Sequence, residues 1–250
     1  RSTLAVTVDP ADARDYDDAV GAVRRADGYE LWVHIADVSA YVKWNDAIDN
    51  EAKQRTCSVY LVDRVLPMLP EQLSNELCSL KPHEDRLAMS VHMRLSPSGR
   101  IIDAEAMRSV IRSSARLSYD EVDAMLRGET AAPTQEIGET ISVLDEIRSL
   151  REHLRVQRGS IDFETVEAKV ILDEEGVPIG VSVRTKTPAT SLIEEAMLAA
   201  NESVAGLLSA ADIPSAFRVH ELPSPDDLKS TILPLRELGL IQGDEAAGLV

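Results

Sequence analysis

The spacing of hydrophobic and polar positions changes several times along the chain, and each pattern predicts an element. Glu30 to Val38 (ELWVHIADV) gathers β-branched and aromatic residues and reads as a buried strand. Asn45 to Arg55 is polar with interspersed alanine and predicts a helix, with Asn45 or Asp46 as N-cap. Ser58 to Leu61 reads as a short strand, Pro67-Met68-Leu69-Pro70 as a stiff connector and Glu71 to Leu80 as a short helix. Arg86 to Leu95 alternates apolar and polar residues and, across the turn Pro97-Ser98-Gly99, makes a hairpin with Arg100 to Arg112. Ser118 and Glu121 form a capping box that opens a helix through Leu126. A surface loop, Arg127 to Glu136, leads into a helix from Ile137 to Gln157, where Ile141, Leu144, Ile147, Leu150 and Leu154 keep helical spacing as far as Gly159. A second hairpin pairs Ala168–Leu172 with Ile179–Val183 around Glu174-Glu175-Gly176. Thr190 to Leu208 is rich in helix formers, Phe217 to His220 reads as a short strand, and Pro225 to Leu238 as a last helix. No βαβ rhythm organises this order. The expected class is α+β, a mixed but mainly antiparallel sheet with packed helices, in one domain over residues 1–250.

Composition narrows the setting. With 44% hydrophobic residues the 250-residue chain can bury a sizeable core. No stretch approaches the roughly 18 consecutive apolar residues of a membrane helix, and Arg1 to Val8 has no signal-peptide apolar run. No membrane partner is expected. Two cysteines, Cys57 and Cys78, exclude a disulfide framework and a multi-cysteine zinc module, and read as buried thiols of a cytoplasmic protein. Forty-three acids against 26 bases give a net charge of −17. Taken alone, that argues against nucleic acid, whose phosphates want a basic partner. Net charge averages over a surface, however, whereas a groove is local, and carboxylates recruit phosphates through divalent metal.

Asp9 to Asp18 (DPADARDYDD) is where the chemistry concentrates, with aspartate at 9, 12, 15, 17 and 18. Carboxylates this crowded raise one another's pKa unless a cation sits among them. Aspartate favours neither helix interiors nor strands, so propensity does not collect it here. A solvated acidic turn is the plain alternative. The apolar flanks Ala5, Val6 and Val8 before it, and Ala19 and Val20 after it, tie the segment to the core instead. An all-oxygen ligand set suits Mg²⁺ or Mn²⁺ rather than zinc. An EF-hand fails, because Arg14 and Val20 stand where the loop needs Gly and Glu. His34, inside a hydrophobic strand, reads as a hydrogen-bonded core histidine. Zincin, serine-hydrolase and P-loop motifs are absent from the sequence.

The segment TVDPADARDYDDAV (Thr7 to Val20) resembles the first signature of the catalytic domain shared by ribonuclease II and ribonuclease R. Six further segments fit that family in order: Trp32–Ser39, Ser58–Pro70, Leu73–Leu80, Arg158–Phe163, Leu192–Asn201 and Phe217–His220. The bacterial ribonuclease R branch is the most similar. The resemblance implies an RNB-type fold and a Mg²⁺-dependent 3′→5′ exoribonuclease, with Mn²⁺ as a substitute, that hydrolyses single-stranded RNA processively to nucleoside 5′-monophosphates. It assigns metal binding and positioning of the attacking water to Asp9, Asp15, Asp17 and Asp18, and leaves Asp12 at the surface. It places Tyr60 and Phe163 as stacking clamps on the terminal nucleotides. Tyr119 and Glu194 fall at the positions that read the ribose 2′-hydroxyl. The family also implies a monomer.

The family continues beyond this point with an SPIR[RK]Y motif whose arginine contacts the scissile phosphate, and nothing here matches it. Flanking oligonucleotide-binding domains are missing too, so the chain reads as a partial catalytic domain, with the basic RNA-gripping surface expected elsewhere. The other class of function is a non-catalytic RNA-binding or assembly module of the same family. Such a module would be expected to lose metal aspartates, and all four are present.

Overall fold

The computed structural model describes residues 4–160, 167–173, 175–219 and 221–239. Packing divides the chain into two compact units, Arg1–Ile213 and Pro214–Val250. The first is built on a six-stranded sheet of β1 (Val6–Asp9), β2 (Asp18–Arg25), β3 (Gly28–Ala36), β6 (Asp85–Leu95), β7 (Ile101–Arg112) and β8 (Ala115–Ser118). Their order is β7-β6-β3-β2-β1-β8. All pairs are antiparallel except β1 and β8, which run parallel with Val6 opposite Ala115 and Asp9 opposite Ser118. The mixed α+β class with a mainly antiparallel sheet is therefore correct.

Alternation along the strands sorts two cores. Val6, Val8, Val20, Leu31, Val33, Val91 and Met93 face α2 (Tyr119–Leu126), α3 (Gln135–Gln157) and α4 (Pro188–Ala210) in one cluster. Ala5, Ala19 and Ala36 form the other with Leu73, Cys78 and Leu80. The small alanines let the segment after the π-helical turn Gln72–Leu77 lie close against the sheet. At the entry to β3, Gly28 sits at φ +143°, where an added Cβ would meet the Leu95 carbonyl oxygen at 2.0 Å.

Two short hairpins stand apart from the main sheet: β4 (Val59–Tyr60) with β5 (Val65–Leu66), and β9 (Glu167–Leu172) with β10 (Pro178–Arg184). Helix α1 (Ala47–Arg55) starts at Asp46, whose side chain accepts from Asp49 N. The Ser118–Glu121 capping box forms as expected at α2. In the second unit, α5 (Pro225–Glu237) is capped by Ser224.

Several expectations change. The short helix expected over Glu71–Leu80 is a single π-helical turn. Phe217–Val219 form no strand, because no described strand pairs with them; His220 lies outside the described residues. Cys57 is exposed and only Cys78 is buried. His34 is buried, with Nδ1 2.6 Å from Ser90 Oγ. Burial lowers its pKa to about 4, so it is neutral at physiological pH, as a core histidine should be.

Candidate functional site

The aspartate segment is the connection between β1 and β2, whose antiparallel register pairs Val6 with Val20. That register brings the strand ends Asp9 and Asp18 together and leaves residues 10–17 as the loop between them. Pro10 ends β1, and its carbonyl accepts from Ala13 N at 3.0 Å to start a turn.

The loop is then tied to three neighbours. Arg116 on β8 donates from Nη2 to Pro10 O (2.8 Å) and Ala11 O (2.7 Å), and its guanidinium lies 5.7 Å from the Tyr16 ring centroid. Tyr16 N donates to Ser79 Oγ (3.0 Å), and Leu80 N donates to Tyr16 O (2.8 Å). Ala36 N donates to Asp17 O (2.9 Å). A loop with its backbone committed in this way holds its carboxylates where their repulsion alone would not put them.

The electrostatics follow. Burial, then the Asp18 charge, pushes Asp9 from 3.8 up to about 7, while Arg116 pulls the other way. Burial and Asp17 push Asp18 up to about 6. Asp17 is raised as well, by desolvation first and then by Asp15. Asp12 is exposed. The Oδ2 atoms of Asp9 and Asp18 are both buried without a hydrogen-bond partner. Among the described residues no three His, Cys, Asp or Glu side chains converge into a ready metal cage. Two orphaned carboxylate oxygens nevertheless fit a hard cation that keeps most of its shell as water and phosphate oxygen, the usual habit of Mg²⁺.

Three of the four remaining candidates can be placed. Tyr60 projects from the β4–β5 hairpin with 71% of its surface exposed. Its hydroxyl pKa is raised by partial desolvation and then by Asp15 and Asp17, so the ring stands within the field of the acid cluster. Tyr119 opens α2 directly after Ser118, the residue registered against Asp9. It lines a cleft of ≈ 300 Å³ with Pro10, Ala11, Asp123, Thr187 and Thr190. Glu194 lies one turn beyond Thr190 on α4 and is paired to Lys186 Nζ (2.9 Å) and Arg155 Nη1 (3.4 Å). Phe163 lies outside the described residues.

Arg116 and Asp123 escape a reading of the sequence. Asp123 is buried and accepts from Ala189 N at 2.9 Å, joining α2 to the start of α4 across the cleft. Its one local signal is an acid between the apolar Val122 and Ala124.

A two-faced sheet whose first connection gathers partly buried carboxylates beside an exposed tyrosine suits metal-assisted chemistry on an anionic polymer. The RNB domain model matches residues 1–245. Ribonuclease R 1 of Lactococcus lactis is 46% identical over 235 residues, covering 93% of this chain and 29% of the relative. The structure of Mycoplasma genitalium RNase R in complex with ribose-methylated single-stranded RNA superposes with a TM-score of 0.91 at 36% identity, covering 95% of this chain and 37% of that one. The same protein with double-stranded RNA gives 0.92 at 36% identity, covering 95% and 42%. The chain belongs to the RNB-domain family, and its relatives here are ribonucleases R. It spans about a third of the length of the curated relatives it matches, such as 29% of the Lactococcus protein and 32% of its Thermotoga maritima counterpart.

Proposed function

We propose that this chain is the metal-binding core of a 3′→5′ exoribonuclease that hydrolyses single-stranded RNA processively to nucleoside 5′-monophosphates. The observation that carries the reading is the Asp9–Asp18 pair: two raised carboxyls with orphaned buried oxygens, flanking a loop tied down from three sides. Membership of the family supports it, as do the RNA complexes of M. genitalium RNase R. Retention of Asp9, Asp15, Asp17 and Asp18 argues against a non-catalytic module.

Asp9 and Asp18, with Asp15 and Asp17 beside them, would hold Mg²⁺ or Mn²⁺. When bound, the cation supplies Lewis acidity to the scissile phosphate and to a water molecule. The protein's own work is positioning. Arg116 fixes the Pro10 and Ala11 carbonyls and so holds the start of the backbone loop that carries the carboxylates. Tyr60 offers an exposed ring on which a terminal base can stack without regard to sequence. Tyr119, and Glu194 further along α4, are the groups assigned to the ribose 2′-hydroxyl, the feature that separates RNA from DNA. Phe163 completes the clamp on this reading. The enzyme would work as a cytoplasmic monomer; among the described residues no helix is long and apolar enough to cross a membrane.

The test is a gel of 5′-labelled single-stranded RNA and matched DNA, incubated with Mg²⁺, with EDTA, and with an Asp17→Asn variant. A Mg²⁺-dependent ladder shortening from the 3′ end, on RNA alone and lost in the variant, is expected. A ladder that persists in EDTA would refute the assignment of the aspartates.

A further inference from the structure

The seam between α3 and α4 carries more charge than a helix contact needs. Glu195 is 1% exposed, yet it is an acid. Its Oε1 lies 2.7 Å from Arg155 Nε, and its Oε2 lies 3.6 Å from Arg151 Nε. Arg151 is itself buried, and its Nη2 is 2.8 Å from Glu202 Oε2. Burying such a set seldom adds stability over an apolar seam, because desolvation offsets the attraction. What it does secure is a fixed geometry, and the geometry here has a direction.

Glu195 and Glu202 are seven residues apart and so share one face of α4, turned to the arginines of α3. Glu194 is rotated about 100° from that face and sits at the rim, its side chain 41% exposed. Arg155 bridges the two positions. Its Nε is on buried Glu195 and its Nη1 is 3.4 Å from Glu194 Oε1. The second oxygen of Glu194 meets Lys186 Nζ at 2.9 Å, from the segment after β10. An isolated rim glutamate would sweep through several rotamers, whereas this one has a cation at each oxygen. A carboxylate has about four lone-pair sites, so acceptor capacity remains on its exposed side.

We propose that Arg155 is a positioning residue that holds Glu194 aimed as an anionic acceptor, that buried Glu195 anchors Arg155 in that pose, and that Lys186 closes the clamp from the other side. The inference rests on the reading that Glu194 meets a ribose 2′-hydroxyl, and it names how that contact is made rigid. A planar guanidinium suits this place because its Nε and Nη1 face two different carboxylates from separate points of one rigid group, whereas an ammonium presents its donors from a single nitrogen.

The readout is discrimination between sugars, which a merely structural role would not move. Fluorescence anisotropy would measure the affinity of the chain for a single-stranded RNA oligonucleotide and for the same sequence as DNA, in EDTA so that nothing is cleaved. The variants are Glu194→Gln, Arg155→Gln, Arg155→Lys and Lys186→Met, with far-UV circular dichroism to check folding. Arg155→Gln is expected to reduce the RNA-over-DNA preference roughly tenfold, about what one charged hydrogen bond contributes, and to match Glu194→Gln. Combining the two should reduce it no further. Arg155→Lys should recover only part of the preference.

A folded Arg155→Gln with the parent's preference, beside a Glu194→Gln that has lost it, would overturn the positioning role and leave the 2′-hydroxyl reading intact. A Glu194→Gln that keeps the preference would overturn both. Should Arg155→Gln fail to fold, Lys186→Met decides, since it removes a half-exposed side chain from the same carboxylate. A reduced preference there supports the clamp, and an unchanged one refutes it.

Discussion

Replacing Asp18 by asparagine should make the metal-free protein more stable at alkaline pH, because the carboxylate it removes is largely desolvated and lies beside the Asp17 charge. Asp18 ionises at 3.8 in the unfolded chain but at about 6 in the folded one, through burial and the Asp17 charge. Between those values the folded chain binds more protons than the unfolded chain, so stability falls as pH rises through the window and stays low above it. Ionising Asp18 in place therefore costs about 3 kcal/mol at pH 8. The amide of an Asp18→Asn variant would carry no charge and would also relieve Asp9, whose raised value of about 7 owes its second-largest part to Asp18. Against this stands an amide in a place where Oδ2 has no partner, a cost of about 1–2 kcal/mol. The net gain is about 1–2 kcal/mol, or roughly 3–6 °C in Tm for a chain of this size. Thermal unfolding in EDTA near pH 8 measures it, and near pH 4 the advantage should vanish, because the parent's Asp18 is then protonated in the fold. On the proposed reading the order should reverse in Mg²⁺, since the parent would then gain the roughly 2–3 kcal/mol of binding linkage available at about a hundredfold excess over Kd. An asparagine variant less stable than the parent in EDTA at pH 8 would refute the reasoning.

Three other outcomes follow from the same geometry. Gly28→Ala should lower stability by about 3 kcal/mol or more, because its Cβ would lie 2.0 Å from the Leu95 carbonyl oxygen in a backbone that cannot yield cheaply; urea denaturation would measure this. Tyr60→Ala should leave Tm unchanged, its ring being 71% exposed. In an anisotropy titration it should weaken RNA binding by about 1–3 kcal/mol, the value of one stacked base. Arg116→Met removes two bonds to loop carbonyls and, among the described residues, the one cation that lowers Asp9, so an NMR titration of the Asp9 carboxyl should find its midpoint moved further above about 7.

Local patterns carried much of the fold. Alternation found β6 and β7, helical spacing found α3, and the Ser118–Glu121 box forms with both of its hydrogen bonds. The acid loop was conspicuous because aspartate has no propensity reason to gather there. What stayed hidden lies in long-range pairing. Strand β8 has four residues and runs parallel to β1, about a hundred positions earlier, with no turn between them to announce the match. Arg116 is on that strand, and an arginine among Ser, Ala and Leu looks like any surface cation until β8 is set beside β1. Arg155 and Lys186 were hidden for a related reason, since their partner Glu194 lies on another element in each case.

This placement also bears on the net charge of −17, which weighed against a nucleic-acid partner when read over the whole chain. Arg116 commits its guanidinium to loop carbonyls, and the Arg155 guanidinium and Lys186 ammonium are paired with Glu194. These three cations therefore orient protein groups. On the proposed reading, the phosphate's charge has to be met by a metal ion taken from solution. Asp9 and Asp18, raised to about 7 and about 6 and each with an unpartnered buried oxygen, are the groups with most to gain from one. The acidity that seemed to exclude RNA then becomes the means of binding it, and the same repulsion that weakens the metal-free fold at pH 8 makes the cation's arrival favourable.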